Sequence, residues 1–123
     1  MNPILIIDDD RDVRESLRDT LTDEGYPTAE AGDGGEGLEY LRNHEVSLIL
    51  LDWNMAPMDG ATFMAEVAKD ARLKAFPVVL VTADSRVSSR GLDGFVGTLK
   101  KPIDLVKLFA LCTRYCGDPP AAS

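Results

Sequence analysis

The sequence predicts an α/β protein whose parallel sheet is covered by helices on both faces. Three observations carry this. Short runs that are apolar at nearly every position recur along the chain: ILII at 4–7, SLILL at 47–51 and PVVLV at 77–81. Strands that are apolar on both faces belong to sheets buried on both faces, and such sheets are parallel with helical crossovers. Between the runs, apolar residues fall three or four apart, which is the stripe of an amphipathic helix. Finally, the first two runs each end on acid: Asp8, Asp9 and Asp10 after one, Asp52 after the other.

Each element follows in order. After the strand at 4–7, Val13, Leu17 and Leu21 stand at intervals of four, predicting a helix over 10–24 that stops at Gly25. Residues 26–31 form a weaker extended stretch, and 36–43 a short helix through Leu38 and Leu41. The strand at 47–51 follows. Asp59 is placed to cap a helix whose face is Phe63, Met64, Val67, Ala68 and Ala71. The strand at 77–81 ends on Thr82. A short helix is expected over 84–91, a strand over 95–99, and a last helix over 103–116 with Leu105, Leu108, Phe109 and Cys112 inward. Crossovers between parallel strands are right-handed. Residues 1–116 are read as one domain and 117–123 (GDPPAAS) as a tail or the start of a linker.

Composition narrows the function. Thirteen Lys and Arg against 21 Asp and Glu leave a net charge of −8, which repels nucleic acid and anionic membrane surfaces, so neither is an expected partner. No stretch is long enough to span a bilayer, and the four-residue run at 4–7 has no basic segment before it, so a cytoplasmic location is the expectation. Cys112 and Cys116, four apart, share a helix face and are read as reduced core residues.

In a parallel sheet all C-terminal strand ends lie on one edge, where open α/β sheets bind their ligands. That edge collects Asp8, Asp9, Asp52, Thr82 and Lys101. Two like charges ~4 Å apart repel by about 4 kcal/mol at an effective dielectric of ~20. A cluster of three carboxylates is therefore a place for a cation, and all-oxygen ligands completed by water favour Mg²⁺. With a lysine and a hydroxyl added, the site suits the oxygens of a phosphoryl group. Asp52, alone at the end of its strand, is the candidate nucleophile.

These residues resemble the receiver domain of two-component response regulators. ILIIDDDRDVRESL is similar to that family's first strand, acidic pair and first helix. LLDWNMAPMDG resembles its phosphoacceptor segment, VVLVTADS its Thr-Ala pair, and LKKPID its Lys-Pro pair. The resemblance covers residues 3–116. It implies the flavodoxin-like, CheY-like fold: a five-stranded parallel sheet of order 2-1-3-4-5 with helices on both faces.

The resemblance also implies roles. Asp52 takes a phosphoryl group from a phosphohistidine on a sensor histidine kinase or phosphotransfer protein. Asp9, Asp52 and the backbone carbonyl of Asn54 ligate Mg²⁺, with Asp8 acting mainly through water. Thr82 bonds the phosphoryl oxygen and shifts, and Lys101 pairs with the acceptor. The bond preceding Pro102 is cis. Lys100 is the rival of Lys101, but strand alternation sends it to the other face. Asn54 and Asp84 occupy positions that tune phosphoryl lifetime; both are polar, which favours modest persistence. Output goes to a downstream protein target or a covalently linked output domain. The protein is thus a signalling switch that catalyses its own phosphorylation and dephosphorylation rather than a conventional enzyme.

Three features depart from the family pattern. Ala56 separates Met55 from Pro57, the segment between Thr82 and Lys101 is shortened, and Thr98 stands at the switch position usually held by an aromatic. Whether Phe95 replaces that ring stays open.

Other residues have plainer readings. Asp10 and Asp12 are first-turn helix acids, GDGGEG at 32–37 is a turn into a helix, and His44 is a surface helix end. Arg86 and Arg90 are solvated, and Met55, Met58 and Met64 pack in loops and core. Trp53 is either a lid or a surface aromatic. Two rival functions differ at the site. A Mg²⁺-dependent aspartyl-phosphate phosphatase resembles a DxDxT arrangement, but Trp53 and Asn54 follow Asp52. A flavodoxin-like FMN carrier needs a Ser/Thr/Gly-rich phosphate loop where this chain has DDDRD.

Overall fold

The structure, a computed structural model, describes residues 1–53, 58–84 and 94–117. Its elements run β1 (Ile4–Ile7), α1 (Arg11–Asp23), β2 (Thr28–Ala31), α2 (Gly34–Asn43), β3 (Leu48–Asp52), α3 (Gly60–Ala68), α4 (Ala71–Lys74), β4 (Val78–Thr82), β5 (Phe95–Lys100) and α5 (Leu105–Cys116). The strands form one parallel sheet of order β2-β1-β3-β4-β5, as expected. Every residue of β1, β3 and β4 is buried, which is why these runs carry no polar alternation.

Alternation along the strands sorts the core into two layers. Leu5, Ile7, Ile49, Leu51 and Val78 pack under α2, α3 and α4 through Leu38, Leu41, Phe63, Val67 and Leu73. Ile4, Ile6, Leu48, Leu50, Val79, Val81 and Leu99 pack under α1 and α5 through Leu17, Leu21, Leu108 and Cys112.

Helix starts follow side-chain chemistry. Asp10, Asp33, Asp59, Asp70 and Asp104 each cap a helix by accepting backbone N–H groups of its first turn. GDGGEG is therefore the start of α2, with Asp33 as its cap, and Asp10 is the cap of α1 rather than a residue within it. His44 ends α2, exposed, with its ring stacked on Tyr40 at 4.2 Å. Arg72 donates to the carbonyls of Leu41 and His44, tying α4 to the end of α2.

Two expectations are corrected. The helix after Asp59 does not continue to Ala71. It ends at Ala68, and Asp70 turns its carboxylate onto Arg72 N and Leu73 N to start a new helix. Ala68 and Ala71 are consequently exposed, and Leu73 takes the core position. Leu105 is not inward: at 49 % exposure in the first turn of α5, it lines a groove with Val13, Leu17, Pro102 and Ile103. The expected helix at 84–91 lies, beyond Asp84, outside the described residues. So do Asn54, Met55, Ala56, Pro57, Arg86, Arg90 and the tail from residue 118. Among the described residues no helix is long and apolar enough to cross a membrane.

Candidate functional site

The sheet brings the predicted residues together at its C-terminal edge. Asp8, Asp52, Thr82 and Lys101 are anchored by backbone bonding, at or next to each residue, between neighbouring strand ends. Asp8 N–H donates to the Ala31 carbonyl at 3.2 Å, Trp53 N–H beside Asp52 to Val81 at 3.0 Å, and Lys101 N–H to Thr82 at 2.8 Å. The polar groups are therefore fixed by the same ladder that buries the apolar runs.

Asp8 and Asp52 are 2 % and 6 % exposed, and Thr82 is fully buried. One oxygen each from Asp8, Asp9 and Asp52 lie within 4.8 Å of one another. Oxygens sharing a small divalent ion at about 2.1 Å lie roughly 3–4 Å apart, so this set fits one with little movement. Asp9 is exposed, leaving a side open to water. Lys101 Nζ donates to Asp8 Oδ2 at 3.2 Å and stands 3.6 Å from Asp52 Oδ1. Burial pulls the Lys101 ammonium down, but the charges of Asp52 and then Asp8 outweigh it, and its pKa is raised above the ordinary value.

Alternation decides which lysine enters. Leu99 faces the α1–α5 layer, and Lys101, two residues on, reaches Asp8 and Asp52. Lys100 instead donates to the Asp84 carbonyl at 3.2 Å. The Lys101–Pro102 bond is cis, as expected. Asp8 Oδ1 accepts the N–H of Asp10 at 2.9 Å, so both oxygens of Asp8 have protein partners. The Thr82 hydroxyl accepts Asp84 N–H at 3.0 Å, which places Asp84 at the site's rim. At the end of β1, Asp10 takes the N–H groups of Asp12 and Val13, the donors that a phosphate loop would offer to FMN.

Trp53 is half-buried, and its ring meets that of Phe95 edge-on, with centroids 6.1 Å apart. Behind it, a Cβ on Gly60 would lie 2.8 Å from the Trp53 ring and 3.1 Å from its Cα. Trp53 is thus an aromatic wedge between α3 and β5, neither a free lid nor a bare surface ring. Thr98 pairs in register with Leu80 and is half-buried. Both thiols are free, with Cys112 buried and Cys116 half-buried beside the Ser47 hydroxyl at 3.2 Å.

Two participants escaped the sequence. Arg14 donates from Nη1 to the Asp8 carbonyl at 2.7 Å, and Gly60 leaves room for Trp53. A clue to Arg14 was available: a cation in the first turns of a helix opposes the helix dipole, so it needs a partner elsewhere.

An acidic cluster with a facing lysine at the carboxyl edge of a doubly wound parallel sheet is the arrangement expected of a receiver domain. The family model of the response regulator receiver domain matches residues 4–113, and the chain belongs to that family. It is 36 % identical over 100 residues to the chemotaxis protein CheY of Pseudomonas aeruginosa, covering 76 % of this chain and 81 % of that one. It is 40 % identical over 112 residues to the response regulator MprA of Mycobacterium sp., covering 87 % of this chain but 47 % of MprA, so it spans about half of that regulator. Among solved structures, CheY4 of Vibrio cholerae matches with TM-score 0.81 and 28 % identity over 94 % of this chain and 98 % of that one. TrrA of Thermotoga maritima, solved in complex with Mg²⁺-BeF, matches with TM-score 0.81 and 26 % identity over 94 % and 99 %.

Proposed function

We propose that this chain is a phosphorylation-controlled switch that takes a phosphoryl group onto Asp52 in a Mg²⁺-dependent reaction. The observation that carries the reading is the convergence of Asp8, Asp9, Asp52 and Lys101 from three strand ends on one point. A carboxylate oxygen of Asp52 attacks the phosphorus, the N–P bond of a phosphohistidine breaks, and the imidazole leaves with the electron pair. Asp9 and Asp52, with the Asn54 carbonyl, would hold Mg²⁺ directly. Asp8, whose oxygens are already engaged, would act through water. When bound, the ion neutralises phosphoryl and carboxylate oxygens. Lys101 supplies a second fixed cation, and the Thr82 hydroxyl a hydrogen bond to the arriving group.

The donor is a sensor histidine kinase or phosphotransfer protein. The added charge of roughly −2 biases the surface toward a downstream protein target or a covalently linked output domain. Asp84 at the rim, with Asn54, tunes how fast water removes the phosphoryl group. Thr98 holds the switch position without a ring, so readout passes through the movement of Thr82 rather than through an aromatic at that position. Residues 1–116 act as the receiver unit, 117–123 as tail or linker, in the cytoplasm.

The test is acetyl phosphate with and without Mg²⁺, read by intact mass on the wild type and Asp52→Asn. One phosphoryl adduct on the wild type alone, and only with Mg²⁺, is expected. An adduct that persists in Asp52→Asn refutes the assignment.

A further inference from the structure

Arg14 is the one charged side chain of α1 whose guanidinium turns back under the acidic site. Its side chain is 18 % exposed. Nη1 donates to the Asp8 backbone carbonyl at 2.7 Å. Nε is sealed from solvent without a hydrogen bond among the described residues, and Glu30 Oε1 on β2 lies 3.5 Å from it. Glu30 is held in turn by Arg18 Nη1 at 3.3 Å. A guanidinium nitrogen sealed from solvent without a hydrogen bond is costly, and the hydrogen bond that this placement of the half-buried side chain secures is the one to Asp8.

We propose that Arg14 is a positioning residue for the Asp8–Asp9 limb of the metal site, a role that rests on the Mg²⁺-dependent reading above. The Asp8 carbonyl and the Asp9 N–H belong to one planar peptide unit. Fixing that oxygen fixes the plane from which the Asp9 side chain departs. The Asp8 N–H is already tied to Ala31 on β2, and Glu30 on the same strand steadies Arg14. The turn between β1 and α1 is therefore clamped on both sides to β2. Partners of this kind, one step removed from the ligands, set metal affinity by orientation.

Charge and geometry predict opposite outcomes. Removing the cation that contacts the Asp8 carbonyl, next to the acidic site, should strengthen Mg²⁺ binding by Coulomb's law. Removing a clamp should weaken it. The experiment is a Mg²⁺ titration of the full chain, read by the fluorescence of Trp53, its only tryptophan and the neighbour of Asp52, and checked by calorimetry. The variants are Arg14→Met, Arg14→Lys and Glu30→Gln, each with its thermal midpoint recorded.

Arg14→Met and Arg14→Lys are expected to raise the Mg²⁺ Kd about 10-fold, because an ammonium keeps the charge but cannot reach Asp8 and Glu30 together. Saturating Mg²⁺ should restore most of the acetyl phosphate reaction, since Asp52 and Lys101 are untouched. Glu30→Gln loses an anion, so charge and geometry both predict weaker binding there; Arg14→Lys, which keeps the charge, is the variant that decides if Arg14→Met does not fold. An unchanged or tighter Kd in the variants, or full rescue by lysine, overturns the proposal. Failure of the wild type itself to bind Mg²⁺ overturns the underlying reading of the site instead.

Discussion

The Asp52 carboxylate and the Lys101 ammonium face each other at 3.6 Å across the end of β4, which separates their two strands. The same ammonium reaches Asp8 at 3.2 Å, so one cation joins the ends of β1, β3 and β5. Its raised pKa makes this a stabilising contact with a defined pH range. A base raised in the folded state contributes fully below its ordinary value of 10.5, and the contribution fades as pH rises through the folded value. The thermal midpoint of the wild type should exceed that of Lys101→Met near neutral pH, with the gap closing above pH ~10.5. A gap that stays constant into that range would show that Lys101 contributes through packing alone.

Lys101 sits against two of the three clustered carboxylates, Asp8 and Asp52, and Asp9 adds a further negative charge that a bound cation would balance. Asp9→Asn should raise stability in metal-free buffer by ~1 kcal/mol, a figure kept small because Asp9 is exposed. The same change should abolish the upward shift in thermal midpoint that Mg²⁺ gives the wild type by mass action. Thermal melts with Mg²⁺ and with chelator measure both effects. A midpoint for Asp9→Asn that still climbs with Mg²⁺ would place the ion elsewhere.

Gly60 tests the support behind the acceptor strand. A methyl group there meets the Trp53 ring at 2.8 Å and its backbone carbonyl oxygen at 3.2 Å. The ring could turn aside, but the backbone cannot move without shifting the end of β3. Gly60→Ala should cost about 1–3 kcal/mol and change the tryptophan emission spectrum. Unaltered emission with wild-type stability would mean that the wedge between α3 and β5 is loose.

The two cysteines should be inert in the native protein. Burial, and then the neighbouring Cys116, pushes the Cys112 thiol up to about 12; burial also raises Cys116, opposed by the Ser47 hydrogen bond. Thiolate is the reactive form, so iodoacetamide near neutral pH should label neither residue when folded and both in urea. Rapid native labelling would contradict the packing of α5 against the sheet. Because an acid raised by burial also costs stability above its ordinary value of 9.0, Cys112 adds to alkaline unfolding. That contribution is common to the wild type and Lys101→Met and cancels in their difference.

Much of this molecule was legible along the chain because its signals are local. The runs at β1, β3 and β4 are apolar up to their C-terminal ends, and the polar residues that close them, Asp8, Asp52 and Thr82, fall on one edge of the sheet. Alternation alone separated Lys101 from Lys100, and a side-chain cap marked the helix start after Asp59. The strand order came from resemblance to the receiver family, since periodicity says nothing of which strands become neighbours.

Only tertiary structure decided the rest. Asp70 breaks a continuous helical stripe because its carboxylate competes for backbone N–H groups and Leu73 then fills the core. Leu105 carries an inward pattern yet faces a groove, because what covers a residue depends on where its helix turn meets the sheet. Arg14 becomes a clamp only once β1, β2 and α1 are packed side by side, and Trp53 becomes a wedge only once α3 presents Gly60. Composition, periodicity and capping act over a few residues and can be read from neighbours in sequence. Pairings across the sheet are set by packing, which no local pattern records.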